Sequence, residues 1–311
     1  MNDDLIMSNT PDTDYSQALA QGWLPIRDVS RITGVNAVTL RAWERRYGLI
    51  VPHRTAKGHR LFSTEHIQRI QQIVLWLNRG VAVSQIKPLL DAPGPSDEAP
   101  GSDWQVWRHT LIEAISELAE RRLDDCFNQV MSLYPTRPLC ERLLMPLLDE
   151  LEQRWQGQFG AQLERVFFHT WLRSKLGARI YHNNRSLKGD PVLLINHSDL
   201  PFDPHLWLTA LLISSSHCPV EMFDAPLPVG ELGLAVERLE PRAVVLYSSK
   251  TINTQALNKL LNGIECPTLI AGPAVRIHYD VLSVSTTEIA GLCLANDPVE
   301  AHLRLNQLGL L

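Results

Sequence analysis

From Asp91 to Asp103 the chain reads DAPGPSDEAPGSD, rich in proline, glycine and acid and almost free of side chains worth burying. Such a segment sustains neither helix nor strand, so the polypeptide cannot close around one continuous core and is expected to be multidomain. A second polar, turn-forming stretch, HNNRSLKGD at 182–190, makes another break. The expected organisation is a flexible tail (1–21), a basic block (22–90), a linker (91–103), a middle block (104–181) and a C-terminal block (190–311). A chain of 311 residues is long enough to supply each with a core.

Charge separates the blocks further. The formal net charge is −5, yet residues 22–90 hold eleven arginines and lysines against Asp28, Glu44 and Glu65. That leaves +8 in one segment of an acidic protein, the pattern of a polyanion-binding module on a neutral-to-acidic body. Within it, LPIRDVSRITG (24–34) predicts a short helix ending at a glycine free to turn left-handed. Val35 and Asn36 make the turn. VTLRAWERRY (38–47) predicts a second helix anchored by Val38, Leu40 and Trp43. Two short helices joined this way, the second rich in arginine, form a helix-turn-helix, and arginine is the side chain that pairs with guanine edges and clamps phosphates. GLIVPHRTAKGHRLFS follows as a two-stranded wing turning at Thr55–Gly58 and carrying His53, Arg54, Lys57, His59 and Arg60. Helices at 64–77 and 83–90 complete this core.

The middle block is helical by period. Leu111, Ile115, Leu118 and Leu123 recur at helical spacing, as do Leu143, Leu144, Leu147, Leu148 and Leu151, then Val166, Phe167, Trp171, Leu172 and Leu176. Breaks at Tyr134–Pro135 and at Gly157–Gly160 divide it into a four-helix bundle. The C-terminal block alternates short apolar runs (PVLLIN, PVEMFD, AVVLYS, PTLIAG) with amphipathic stretches at 206–215, 229–239 and 254–261. That alternation predicts a doubly wound, flavodoxin-like parallel sheet, giving a fold class of α plus α/β. Ligands of such sheets sit beyond the carboxyl ends of the strands, here 196–205, 224–229, 248–253 and 271–274. No apolar run reaches eighteen residues and the N-terminus is polar and acidic, so a cytoplasmic protein without membrane contact is expected. Five scattered cysteines without zinc spacing read as reduced core residues, and no metal site is expected.

The string TLRAWERRYGLIVPHRTAKGHRLF (39–62) resembles the DNA-binding domain of the MerR family. The resemblance implies a homodimer, or a higher oligomer, on a two-fold promoter or operator in double-stranded DNA, with RNA polymerase or another protein as a further partner. It places Arg41, Trp43, Arg54, Arg60 and Phe62 at DNA-contacting or wing positions. Thr39 and Arg45 are added as base readers, and Arg46 joins the basic surface.

The order of winged module, bundle and doubly wound block is similar to one subgroup: light-responsive, cobalamin-dependent repressors of carotenoid genes, and curli and biofilm regulators. In the cobalamin-binding members a D/E-x-H-x-x-G loop brings a histidine to cobalt. Here the loop reads Asp203-Pro204-His205-Leu206-Trp207-Leu208, with leucine in place of glycine. On the bundle, Trp155 is followed by Glu164-Arg165 where the subgroup has Glu-His. The resemblance makes Trp155, Glu164, Asp203, His205 and Ser248 the candidate cofactor residues. Because half of each signature is missing, the preferred reading is a regulator without a cofactor. An adenosylcobalamin-dependent photosensory repressor is the alternative, and a cobalamin-dependent enzyme subunit a remote one. The residues also allow a bland reading, in which Asp203 merely caps a helix opened by Pro204.

Overall fold

A computed structural model describes residues 13–91, 103–157, 159–198, 200–252, 257, 261, 264–289 and 291–311. The interior of the linker, the first twelve residues and most of the helix expected at 254–261 lie outside them. The chain divides into two compact units, residues 1–103 with 131–135, and 104–130 with 136–311.

The first unit opens with α1 (Thr13–Ala20), so part of the expected flexible tail is helical. The turn after it closes through Gly22 in a left-handed conformation, with the Trp23 N–H donating to the Ala18 carbonyl. β1 (Leu24–Pro25) follows and pairs antiparallel with β3 (Arg60–Phe62), which also pairs with β2 (His53–Arg54). The wing therefore has a third strand where a helix was expected to begin. Pro25 is extended and lacks an N–H, and α2 starts after it (Ile26–Thr33). Gly34 ends α2 at φ +69°, and Asn36 caps α3 (Ala37–Ala42) by accepting the Thr39 N–H at 2.9 Å. A π-helical turn, Trp43–Tyr47, continues α3. The wing turn is built as read: Gly58 donates to the Thr55 carbonyl at 2.8 Å, and Thr55 donates to that of His59. α4 (Thr64–Asn78) and α5 (Ile86–Asp91) pack beneath, with Leu40, Trp43, Leu61, Phe62, Ile70, Ile73 and Leu77 fully buried.

In the second unit the bundle consists of α6 (Asp103–Ser116), α7 (Glu120–Leu133), a segment of α8 (Thr136–Leu139) that passes through a π-helical turn into α9 (Met145–Arg154), and α10 (Ala161–Asn184). Most periodic leucines are buried. Leu118 departs from the period because it lies in the turn after α6 with φ +54°, and Val166 faces outward. The break expected from 182 falls inside this unit, since α10 continues to Asn184.

The sheet comprises β4 (Val192–Asn196), β5 (Val220–Phe223), β6 (Ala243–Tyr247), β7 (Thr268–Ala271) and β8 (Leu292–Ala295). All pairings are parallel, in the order β5-β4-β6-β7-β8. β8 escaped the sequence reading because it is a short, half-exposed edge strand. Leu193, Ile195, Val244, Leu246 and Ile270 form one core with residues of the flanking helices, and their alternating neighbours Val192, Leu194, Val245 and Leu269 are also buried. Burial on both faces explains why the strands read as continuous apolar runs. The strand order reverses between β4 and β6, so the switch-point crevice lies beyond Asn196 and Tyr247.

At that edge Gly272 has φ +105°, and a Cβ there would sit 2.4 Å from the Ser248 carbonyl oxygen. Gly272→Ala is expected to cost about 2 kcal/mol or more, from left-handed strain and the backbone clash together. Urea unfolding followed by circular dichroism measures it, and an unchanged midpoint would contradict the crowding.

Candidate nucleic-acid interface and sheet edge

Two surfaces of the first unit carry its positive charge. On α3 and the turn beyond it, Val38, Arg41, Arg45 and Arg46 are exposed, whereas Thr39, Leu40, Ala42 and Trp43 face inward. Thr39 and Trp43 are both 0% exposed, which corrects two expectations: neither presents an edge to a base here, and both belong to the core. Val38, taken as an anchor, is instead about half exposed and stands on the same side as Arg41. Helix geometry accounts for the exchange, because positions 38, 41 and 45 share a face opposite 39, 40 and 43.

The wing presents His53, Arg54, Lys57 and His59. Its two arginines are organised by Glu44, whose carboxylate accepts from Arg54 Nη2 at 2.5 Å and from Arg60 Nε at 2.6 Å. The Arg60 side chain is only 21% exposed and Arg54 49%, so Arg60 fixes the wing against the helix while Arg54 keeps a solvent-facing guanidinium. Sequence reasoning missed Glu44, although an acid inside WERRY is conspicuous: a buried-side carboxylate amid arginines is usually their holder. His53 and His59 rest against Trp23 and Tyr15, with ring centroids 5.5 and 5.3 Å apart. His66 accepts the Ser63 N–H at Nδ1 and reaches the Val51 carbonyl through Nε2, tying α4 to the wing's entry.

Burial works to raise the pKa of Glu44, but hydrogen bonds from Arg60 and Arg54 outweigh it and hold the carboxyl below its ordinary 4.5. A depressed carboxyl stabilises the fold above its unfolded pKa, and that contribution fades as pH falls through the folded value. Glu44→Gln is therefore expected to lower stability at neutral pH by about 1–2 kcal/mol. The gap should close progressively below pH 4.5. Thermal unfolding of both proteins across pH 3–7 reads this, and a gap independent of pH would contradict it.

At the sheet edge, Asp203 is 1% exposed and serves as the N-cap of α11 (Pro204–Ser215). Its Oδ1 accepts the His205 N–H at 3.1 Å, and its Oδ2 accepts the Ser198 hydroxyl at 2.6 Å. The Ser198 oxygen in turn accepts the Ser249 N–H. Asn196 closes the other side, donating to the carbonyls of Leu200 and Asp224 and accepting from the Ser198 N–H. Ser248 is buried with its hydroxyl directed to the carbonyls of His197 and Lys250. The loop after β4 is thus laced to the strand ends on both sides.

This arrangement departs from the D/E-x-H-x-x-G form of a cobalamin loop. A cobalt-ligating histidine needs an orienting acid on its ring and a loop open to the ligand's tail. Here His205 Nδ1 is 3.9 Å from Asp203, beyond hydrogen-bonding distance, and the carboxylate is committed to backbone and Ser198. His205 lies in the first turn of a capped helix rather than in an open loop. Leu208, at the glycine position, is fully buried in the core. On the bundle, Trp155 is buried and donates to Glu164 Oε2 at 3.3 Å, while Arg154 also approaches Glu164. Asp203, His205 and Ser248 are thus brought to one edge, where Ser248 bonds to the His197 and Lys250 carbonyls, and Trp155 and Glu164 bond to each other on one helix pair. Among the described residues no group of three or more histidines, cysteines or acids could hold a metal ion, and no helix is long and apolar enough to cross a membrane.

Residues 24–93 match the family model described as MerR HTH family regulatory protein, and residues 107–180 that described as B12 binding domain. The chain is 37% identical over 127 residues to the HTH-type transcriptional regulator MlrA of Salmonella typhimurium, covering 41% of this chain and 51% of that protein. It therefore spans about half the length of that relative. To the HTH-type transcriptional repressor CarH of Myxococcus xanthus it is 24% identical over 283 residues, 85% of this chain and 93% of that one. A solved cobalamin-binding protein from Desulfitobacterium hafniense is 14% identical, with 65% of this chain and 97% of that one covered at a TM-score of 0.34, a likeness too slight to bear on the site. The winged module thus matches the MerR helix-turn-helix model and the helical bundle the B12 binding domain model, and the parallel α/β sheet follows the second match.

Proposed function

We propose that this protein is a sequence-specific transcription regulator that binds duplex DNA as a dimer, and that its second half regulates it without cobalamin. The observation that carries the reading is the exposed face of Val38, Arg41 and Arg45 beside a wing whose cations are held in place by Glu44. A helix of this kind enters the major groove, where arginine pairs with guanine and a valine methyl packs on the thymine methyl. Arg54, Lys57 and His59 then lie along the flanking phosphates, with Arg60 holding the wing. One such module has a small footprint, so a two-fold operator with half-sites about one helical turn apart is expected. The roles once given to Thr39 and Trp43 pass to Val38 and Arg41.

The absence of a cofactor role rests on the laced loop after β4 and on Leu208, both described above. In this reading Asp203, His205 and Ser248 serve as scaffold for the loop and not as cofactor ligands. RNA polymerase is the natural protein partner of a promoter-bound regulator of this type.

Selection of bound fragments from genomic DNA, followed by footprinting, is expected to return a palindromic site. On that site Arg41→Ala or Arg45→Ala should cost about 1–3 kcal/mol and relax specificity at one position in each half-site. Lys57→Ala should weaken binding to all sequences and reduce the slope of log affinity against log salt by about one. Equal losses on specific and random DNA for all three variants would remove the base-reading assignment. No enrichment of any sequence would remove the function.

A further inference from the structure

The second unit contains a cleft of about 580 Å3 that DNA binding does not use. One wall is α10, from which Arg165, His169 and Arg173 project at four-residue intervals and so share a stripe. The other is Leu200, Pro201 and Phe202, from the loop that leads into α11. One wall is cationic and polar, the other apolar, and no carboxylate lines the cleft among the described residues.

The polar wall is set before anything binds. The Arg173 guanidinium lies 4.9 Å over the Phe202 ring, donates to the Pro201 carbonyl and approaches Asp224 at 3.5 Å. Arg165 pairs at 3.3 Å with Glu152, but both side chains are well exposed, and such a pair is readily exchanged for another anion. His169 lies tilted against Phe202 and edge-on to Trp155, with centroids at 5.1 and 5.6 Å. Its Nε2 is buried without a hydrogen-bond partner among the described residues. Burial, aided by the neighbouring arginines, depresses its pKa to about 4, so the ring is neutral near pH 7 and offers one donor and one acceptor.

We infer that this cleft binds a compact amphipathic anion, its flat apolar body against Phe202 and His169 and its carboxylate, sulfonate or phosphate toward Arg165 and Arg173. The volume falls in the range of small-molecule sites, and a prefixed cation over an aromatic ring lowers the ordering cost of binding. The inference concerns the second unit alone and does not rest on the DNA-binding reading.

The test uses 1-anilinonaphthalene-8-sulfonate, an aromatic sulfonate that fluoresces on leaving water, and N-phenyl-1-naphthylamine, its uncharged counterpart. Titrated into the full-length protein, the sulfonate is expected to saturate at one site per chain and to bind about tenfold or more tighter than the neutral probe. Arg165→Gln should lower its affinity about tenfold. Val166→Trp, which fills the cleft without removing charge, should abolish binding. Equal affinity for the two probes overturns the site, as does wild-type binding of the sulfonate by both variants. Should a variant fail to fold by circular dichroism, the wild-type comparison of the two probes decides alone. Operator binding measured alongside keeps the two readings apart: DNA bound without probe selectivity overturns the cleft only, and probe selectivity without DNA binding overturns the regulator only.

Discussion

A single buried carboxylate, Asp203, ties the first helix of the α/β block to the loop and strand ends around it. One oxygen accepts a first-turn amide of α11, and the other accepts the hydroxyl of Ser198, which itself receives an amide from Ser249. Losing it would leave a buried hydroxyl and a helix amide unpaired, and each such orphan costs about 1–3 kcal/mol. With its oxygens turned to that amide and to Ser198, the carboxylate stands 3.9 Å from the His205 ring, outside hydrogen-bonding distance. Leu208 buries apolar volume where a glycine would leave room.

Glu44 does comparable work in the first unit. It is the one acid on the recognition segment and gathers the wing's two arginines onto the end of α3. The wing is short, two residues in one strand and three in the other, and a hairpin of that size is not stable alone. Its position comes from pairing with β1, from the buried Leu61 and Phe62, and from this double ion pair. Charge that serves to bind a polyanion therefore also serves to hold the binding surface in shape.

Much of this was legible in the residues. Gly34, Asn36 and Gly58 announced two turns, and the apolar runs of β4 and β6 announced strands covered on both faces, because each depends on local chemistry. The helix cap at Asp203 and Pro204 was also visible in sequence, and it forms. What local pattern could not supply was orientation. Thr39 and Val38 are neighbours of similar size, and only the packing of α3 against the core decides which faces outward. β8 and the pairing of β1 with β3 were hidden for the same reason, since two- to four-residue strands are defined by their partners and not by their own period. The cleft on α10 was illegible because its walls come from separate segments, 162–174 and 200–202, and only the packing of the second unit brings Phe202 to His169.

The proposed function is that of a DNA-binding regulator whose cobalamin-type half works without the cofactor. Fluorescence anisotropy of a labelled operator, titrated with purified cofactor-free protein in the dark and after illumination, with and without adenosylcobalamin, tests it most directly. Tight binding by the cofactor-free protein and identical curves in all four conditions are expected. Binding that needs adenosylcobalamin, or that is lost on illumination in wild type but not in His205→Ala, would contradict it.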